Sequence, residues 1–161
     1  MPSKSAVHRS CDKSANTPVS LQYEHRRHSH CNCIVCGTAN PASLQLRFKK
    51  GDDGSVHTVF TGNTLLQGYT GILHGGIISS LLDAAMTHCL FHQNIEAVTG
   101  ELNVRFFHPV PCDATLEIHA RVASAHGILY RLESELVQAS RQLARASASF
   151  MIPADARVKK R

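Results

Sequence analysis

Long apolar runs are missing from this 161-residue chain. A membrane-crossing helix needs about 18 to 20 consecutive apolar residues, so no membrane partner is expected. The first thirty residues also lack an apolar leader core; they mix Ser, His, Lys and Asn. That argues against export and for a cytoplasmic setting, where the six cysteines stay reduced. Acids are scarce, 12 against 17 Lys and Arg, for a formal net charge of +5. The basic excess is split between the two ends (Arg26, Arg27; Arg157, Lys159, Lys160, Arg161) and scattered positions. It serves plain solubility or attraction to an anionic partner. There is no basic helix and no aromatic-plus-basic strand motif, so nucleic acid is not expected. Metal ligands fall short as well. Cys33 and Cys36 have the two-residue gap of a zinc knuckle, but no second Cys pair follows, and zinc needs about four ligands. Adding Cys31 and either His30 or His28 gives an unusual spacing. The expectation is therefore no metal and no cofactor.

What is present divides into three parts. Residues 1–30 read as a flexible arm with little periodicity, whose histidines are solvated. Residues 31–153 form one domain, and 154–161 a basic tail. Gly37 and Asn40-Pro41 turn the chain into a first strand, in which Leu44, Leu46 and Phe48 alternate with polar residues. Lys50-Gly51-Asp52-Asp53-Gly54 makes a hairpin turn into a second strand, Val56 to Thr61. One helix is expected from near Leu73 to about Phe91. Strand alternation resumes over Ala97–Phe107, Leu116–Val122, Ile128–Val137 and Ala144–Phe150, four segments able to pair as a meander. Two strands, a long helix and four strands make an α+β fold. A single helix covers one sheet face, or is wrapped by the sheet.

The chain is organised around Gly71 to Thr87. Ile77, Ile78, Leu81, Leu82, Ala85 and Cys89 fall on one helical stripe. Asp83 and Thr87 lie together off that stripe, with Ser79 and Ser80, on a surface open to solvent or to a second copy. Gly75 and Gly76 are placed just ahead of the first helical turn. There, backbone N–H groups have no helical partner and the helix dipole is positive. Without Cβ atoms, that backbone can meet an oxygen carrying negative charge. Asp83 is the only carboxylate between Asp53 and Glu96. His74 shapes or caps the turn, Cys89 belongs to the core, and no acid–His–nucleophile triad is evident in the sequence order.

His74-Gly75-Gly76 with Asp83 nine residues after the histidine resembles the hotdog-fold acyl-CoA thioesterases, especially the phenylacetyl-CoA thioesterase-like branch. Gln67–Leu73, Cys33–Pro41 and Thr99–Phe106 are similar to that group's helix approach, opening and following strand. The resemblance covers about residues 33–152. It implies a curved antiparallel sheet of five to six strands around one long central helix. It also implies a homodimer or homotetramer with active sites across the subunit interface, and an acyl-CoA substrate. The Gly75 N–H would polarise the thioester carbonyl, and Asp83 would act as general base or nucleophile. Thr87, Thr99, His74 and Gly76 would line the substrate site. Gln67 would replace the Asn or Gln that relatives carry six residues before the histidine, where this chain has Gly68. The alternative is a non-catalytic acyl-CoA-binding protein on the same fold. A hotdog dehydratase fits less well, because no catalytic His stands on the helix.

Overall fold

The helix that the sequence centres on, α1, spans Gly75–His92 in the computed structural model, which describes residues 30–154. The arm before His30 and the tail after residue 154 lie outside the described residues. Both glycines are inside the helix as its first two residues, rather than ahead of it. His74 is the N-cap, in extended conformation (φ −64°, ψ 133°). At the other end Asn94 takes a left-handed φ of 60°. Ile95 N–H then reaches Leu90 O at 2.9 Å and Asn94 N–H reaches Phe91 O at 3.0 Å, the bond pair that closes a helix at a left-handed residue.

Among the described residues, six strands form one antiparallel sheet: β1 (Lys49–Lys50), β2 (Val56–Thr61), β3 (Val98–Phe106), β4 (Thr115–His126), β5 (Leu129–Gln138) and β6 (Arg141–Met151). Their spatial order is β1-β2-β4-β5-β6-β3. The expected four-strand meander holds only for β4, β5 and β6. Strand β3 pairs with β6 at the far edge instead of with β4. The stretch between β3 and β4 carries the chain back. Val110 O accepts Leu73 N–H and Cys112 N–H donates to Gly71 O, so this stretch is tied beneath the entry to α1. Ala139 and Ser140, both at positive φ (45° and 65°), make the two-residue β5–β6 turn, whose twist matches that of paired strands.

The first strand is shorter than expected. Gln45 has φ 54°, which breaks an extended run. Leu44 and Leu46 send their N–H groups to Ile34 O and Val35 O of the cysteine-bearing turn, not to the sheet. Leu46 and Phe48 still point inward and are buried. Residues 30–48 thereby cover the side of α1 that the sheet leaves open. Phe48 stacks on His88 with ring centres 4.3 Å apart, and the His30 ring meets Phe91 edge-on at 4.8 Å. The helix is consequently buried on every side from Ala84 to Phe91, not along one stripe. Thr87, expected at a solvent-open surface in a single copy, is only 7% exposed.

Leu81, Leu82, Met86 and Leu90 of α1 are fully buried together with Leu116, Ile118, Leu132, Leu136 and Phe150 of the sheet. Each such side chain contributes about 1.5–3 kcal/mol through burial. The exception to this coverage is β3. Among the described residues it has a strand neighbour on one side only, and Val98 and Phe106 are 57% and 49% exposed. An unpaired edge is a template for pairing with another chain.

Candidate active site

The N-terminus of α1 is built by the loop before it. His74 N–H donates to Leu66 O at 2.9 Å, and Gly68 N–H to Ile72 O at 2.8 Å. A Cβ at Gly68 would stand 3.2 Å from the His74 ring, so the small residue lets that ring seat. The ring Nδ1 then accepts Gly76 N–H at 2.8 Å. The N–H groups of Ile77 and Ile78 both go to His74 O, at 2.9 and 3.2 Å. In this first turn the Gly75 N–H alone has no hydrogen-bond acceptor among the described residues. Unlike the Gly76 N–H, it is still available to an incoming oxygen, on a residue that is half-buried.

Asp83 stands two turns on, half-buried. Thr99, at the start of β3, donates its hydroxyl to Asp83 Oδ1 at 2.8 Å. Burial raises the Asp83 pKa above the ordinary carboxylate value; the Thr99 hydrogen bond and the charge of His30 oppose that rise without cancelling it. The aspartate is thus a stronger base than a solvated one. His30 is driven the other way: burial lowers its pKa, against the raising effects of Asp83 and Glu96. A cavity of about 180 Å³ lies over the aspartate, walled by Ser80, Asp83, Thr87 and, from the covering turn, His30, Cys33 and Cys36. A wider depression, about 670 Å³, lies between residues 43–49 and β2; its walls include Arg47, Lys49 and His57 but neither Asp83 nor Gly75.

Thr99 and Asp83 therefore meet. Thr87 does not join them through its hydroxyl, which donates to the backbone oxygen of Asp83 at 3.0 Å within the helix. Gln67 uses its side-chain oxygen on Gly71 N–H at 3.1 Å, stiffening the loop. Cys89 donates to Ala120 O, and burial pushes its thiol up to about 12, so it is no nucleophile at neutral pH. Gly75 and Asp83 do not meet within one chain. Eight residues of helix separate them by about 12 Å along the axis. Strand β3 runs past both: Thr99 touches Asp83, and the Phe106 ring lies 3.4 Å from where a Gly75 Cβ would be.

Sequence reading missed His30 as a neighbour of Asp83. It was counted with the arm, and nothing in local spacing relates it to a residue on α1. The same histidine converges with Cys33 and Cys36, their ligating atoms all within 4.8 Å of one another. That set differs from the combination with Cys31 considered above.

Comparisons with known proteins agree with this architecture. Residues 70–144 match the family model described as the thioesterase superfamily. The acyl-coenzyme A thioesterase THEM4 of Bos taurus is 31% identical over 80 residues, half of this chain and 32% of that protein. MIOREX complex component 3 of Saccharomyces cerevisiae is 30% identical over 116 residues, 71% of this chain and 43% of that protein. The chain thus spans about a third of the first relative's length and under half of the second's. The PaaI protein of E. coli, from the phenylacetic acid degradation operon, superposes with a TM-score of 0.68 at 20% identity, covering 83% of this chain and 97% of that one. With the long helix α1 packed on a six-stranded antiparallel sheet, and with residues 70–144 similar to the thioesterase superfamily, the chain has the hotdog fold.

Proposed function

We propose that this protein hydrolyses acyl-CoA thioesters to a free carboxylic acid and CoA, at sites assembled from two copies of the chain. The observation that carries the reading is the half-buried Asp83, held on one oxygen by Thr99 and made more basic by burial. Its other oxygen is left to take a proton from water. The water oxygen bonds to the thioester carbon while the carbonyl oxygen gains negative charge, which the Gly75 N–H of the second copy stabilises. Collapse of that intermediate breaks the C–S bond, and the departing CoA sulfur recovers the proton from Asp83. Because one chain sets the two groups about 12 Å apart along α1, each copy supplies one of them. The open edge of β3, with Val98 and Phe106 exposed near its two ends, is suited to the pairing. A two-fold axis through the middle of β3 would bring the Thr99–Asp83 end of one copy beside the Phe106–Gly75 end of the other.

The test is thiol release from a panel of aryl, short-chain and long-chain acyl-CoAs, with Asp83→Asn alongside. Turnover lost in the variant supports the reading. Acyl-CoA binding without turnover by the unaltered protein would instead make it a binding protein. In heavy-oxygen water, a single turnover should label the product acid; label appearing in Asp83 would show nucleophilic attack rather than base catalysis.

A further inference from the structure

The turn that covers α1 is unusually rich in soft ligand atoms. His30 Nδ1 lies 3.9 Å from Cys36 Sγ, and Cys33 Sγ completes a triangle with no side over 4.8 Å. Around a tetrahedral zinc ion, bonds of about 2.3 Å to sulfur and about 2.0–2.1 Å to nitrogen put two sulfurs about 3.8 Å apart and sulfur and nitrogen about 3.6 Å apart. The longest side of the triangle therefore needs to shorten by about 1 Å, within reach of side-chain rotation. The backbone is already wound for such a site. Cys33 N–H donates to His30 O at 2.9 Å and Gly37 N–H to Cys33 O at 2.9 Å. Val35 N–H points at Cys33 Sγ at 3.4 Å, a contact that strengthens when the sulfur is a thiolate. Gly37 cannot be larger: a Cβ there would stand 2.5 Å from both Cys31 O and Cys33 O. The His30 ring is held against Phe91.

We infer that His30, Cys33 and Cys36 bind one zinc-class divalent ion, which pins the N-terminal turn onto α1 beside the Asp83 cavity. Two thiolates and an imidazole select such an ion over hard cations such as magnesium. A water from the adjoining cavity supplies the fourth ligand. Cys31, though next in sequence, lies outside the cluster.

The inference is separate from the hydrolysis reading and is tested without an activity assay. The full chain is purified reduced and free of chelators, its metal content is measured, and the stripped protein is titrated with Zn²⁺ and with Co²⁺. The expected result is about one metal per chain, thiolate-to-cobalt charge-transfer absorption, and a higher melting temperature with zinc. Cys33→Ser and Cys36→Ser should abolish the charge-transfer bands or halve them, while Cys31→Ser leaves them intact. His30→Ala, at the margin of the described fold, should weaken binding more than about tenfold and serves where a cysteine variant fails to fold. Reduced, folded protein that gives no cobalt–thiolate absorption would overturn the inference. So would metal-free protein isolated two hydrogens lighter, with Cys33 and Cys36 joined as a disulfide.

Discussion

Replacing Gly75 by proline should remove one hydrogen-bond donor and little else. Gly75 is the first residue of α1, a position where proline is well accommodated because the N–H has no helical acceptor and the ring's fixed φ suits a helix. His74 before it has ψ 133°, the extended conformation that a residue preceding proline prefers. A Cβ at this position meets Phe106 at 3.4 Å, the close end of ordinary contact. The fold is therefore expected to survive, with any gain from a stiffer unfolded chain limited to about 0.4–1 kcal/mol. Gly75→Ala makes the same Cβ contact but keeps the N–H, so the two variants differ mainly in the donor. Loss of an oxyanion donor costs about 2.7–4 kcal/mol of transition-state stabilisation, or about 10²–10³ in kcat. Thiol release from acyl-CoA should accordingly fall by that factor in Gly75→Pro relative to Gly75→Ala, with similar melting temperatures. Equal kcat in the two variants would refute the role given to this N–H.

Asp83→Asn should lower kcat by about 10²–10⁴, the usual contribution of a positioned base. It should also change stability with a definite sign. Burial raises the folded-state pKa of Asp83 above its unfolded value, so wild-type stability falls as pH rises through the interval between the two. Denaturant unfolding should then find the Asn variant more stable at neutral pH, with the gain vanishing in acid. Thr99→Val removes a hydrogen bond that lowers the Asp83 pKa; the acid limb of the kcat/KM profile should move to higher pH, and an unmoved limb would contradict the contact. His74→Ala deletes the side-chain cap on Gly76 N–H and should cost about 0.5–2 kcal/mol in an equilibrium unfolding measurement. A loss no larger than that of an exposed surface alanine would argue against the cap.

Local periodicity carried much of this structure. The alternation of Leu116, Ile118 and Ala120, and of Ala144, Ala146, Ala148 and Phe150, marks inward positions of β4 and β6 that are indeed buried. Alternation assigns a face, not a neighbour, which is why the pairing of β3 with β6 was not legible. The segment Leu44–Phe48 alternates like a strand and buries the same residues, yet its backbone bonds go to the cysteine turn. The all-round burial of α1 comes from residues 30–48 folding over it, a contact between distant parts of the chain that no helical period encodes. The same distance hid His30. Asp83 and Thr99 were legible through the resemblance to the thioesterases, helped for Asp83 by the lack of a rival carboxylate nearby in sequence; their hydrogen bond is visible only in the fold. That Gly75 and Asp83 of one chain stay apart follows from helix rise alone.

Mixing two inactive variants tests the two-copy site most directly. Gly75→Pro chains keep Asp83, and Asp83→Asn chains keep Gly75. Each variant alone should be nearly inert. After unfolding and refolding an equimolar mixture, half of the dimers are mixed, and each mixed dimer holds one intact site. The account predicts recovery of about a quarter of wild-type thioesterase activity. A mixture as inert as its components, with mixed dimers shown to have formed, would contradict a site shared between copies.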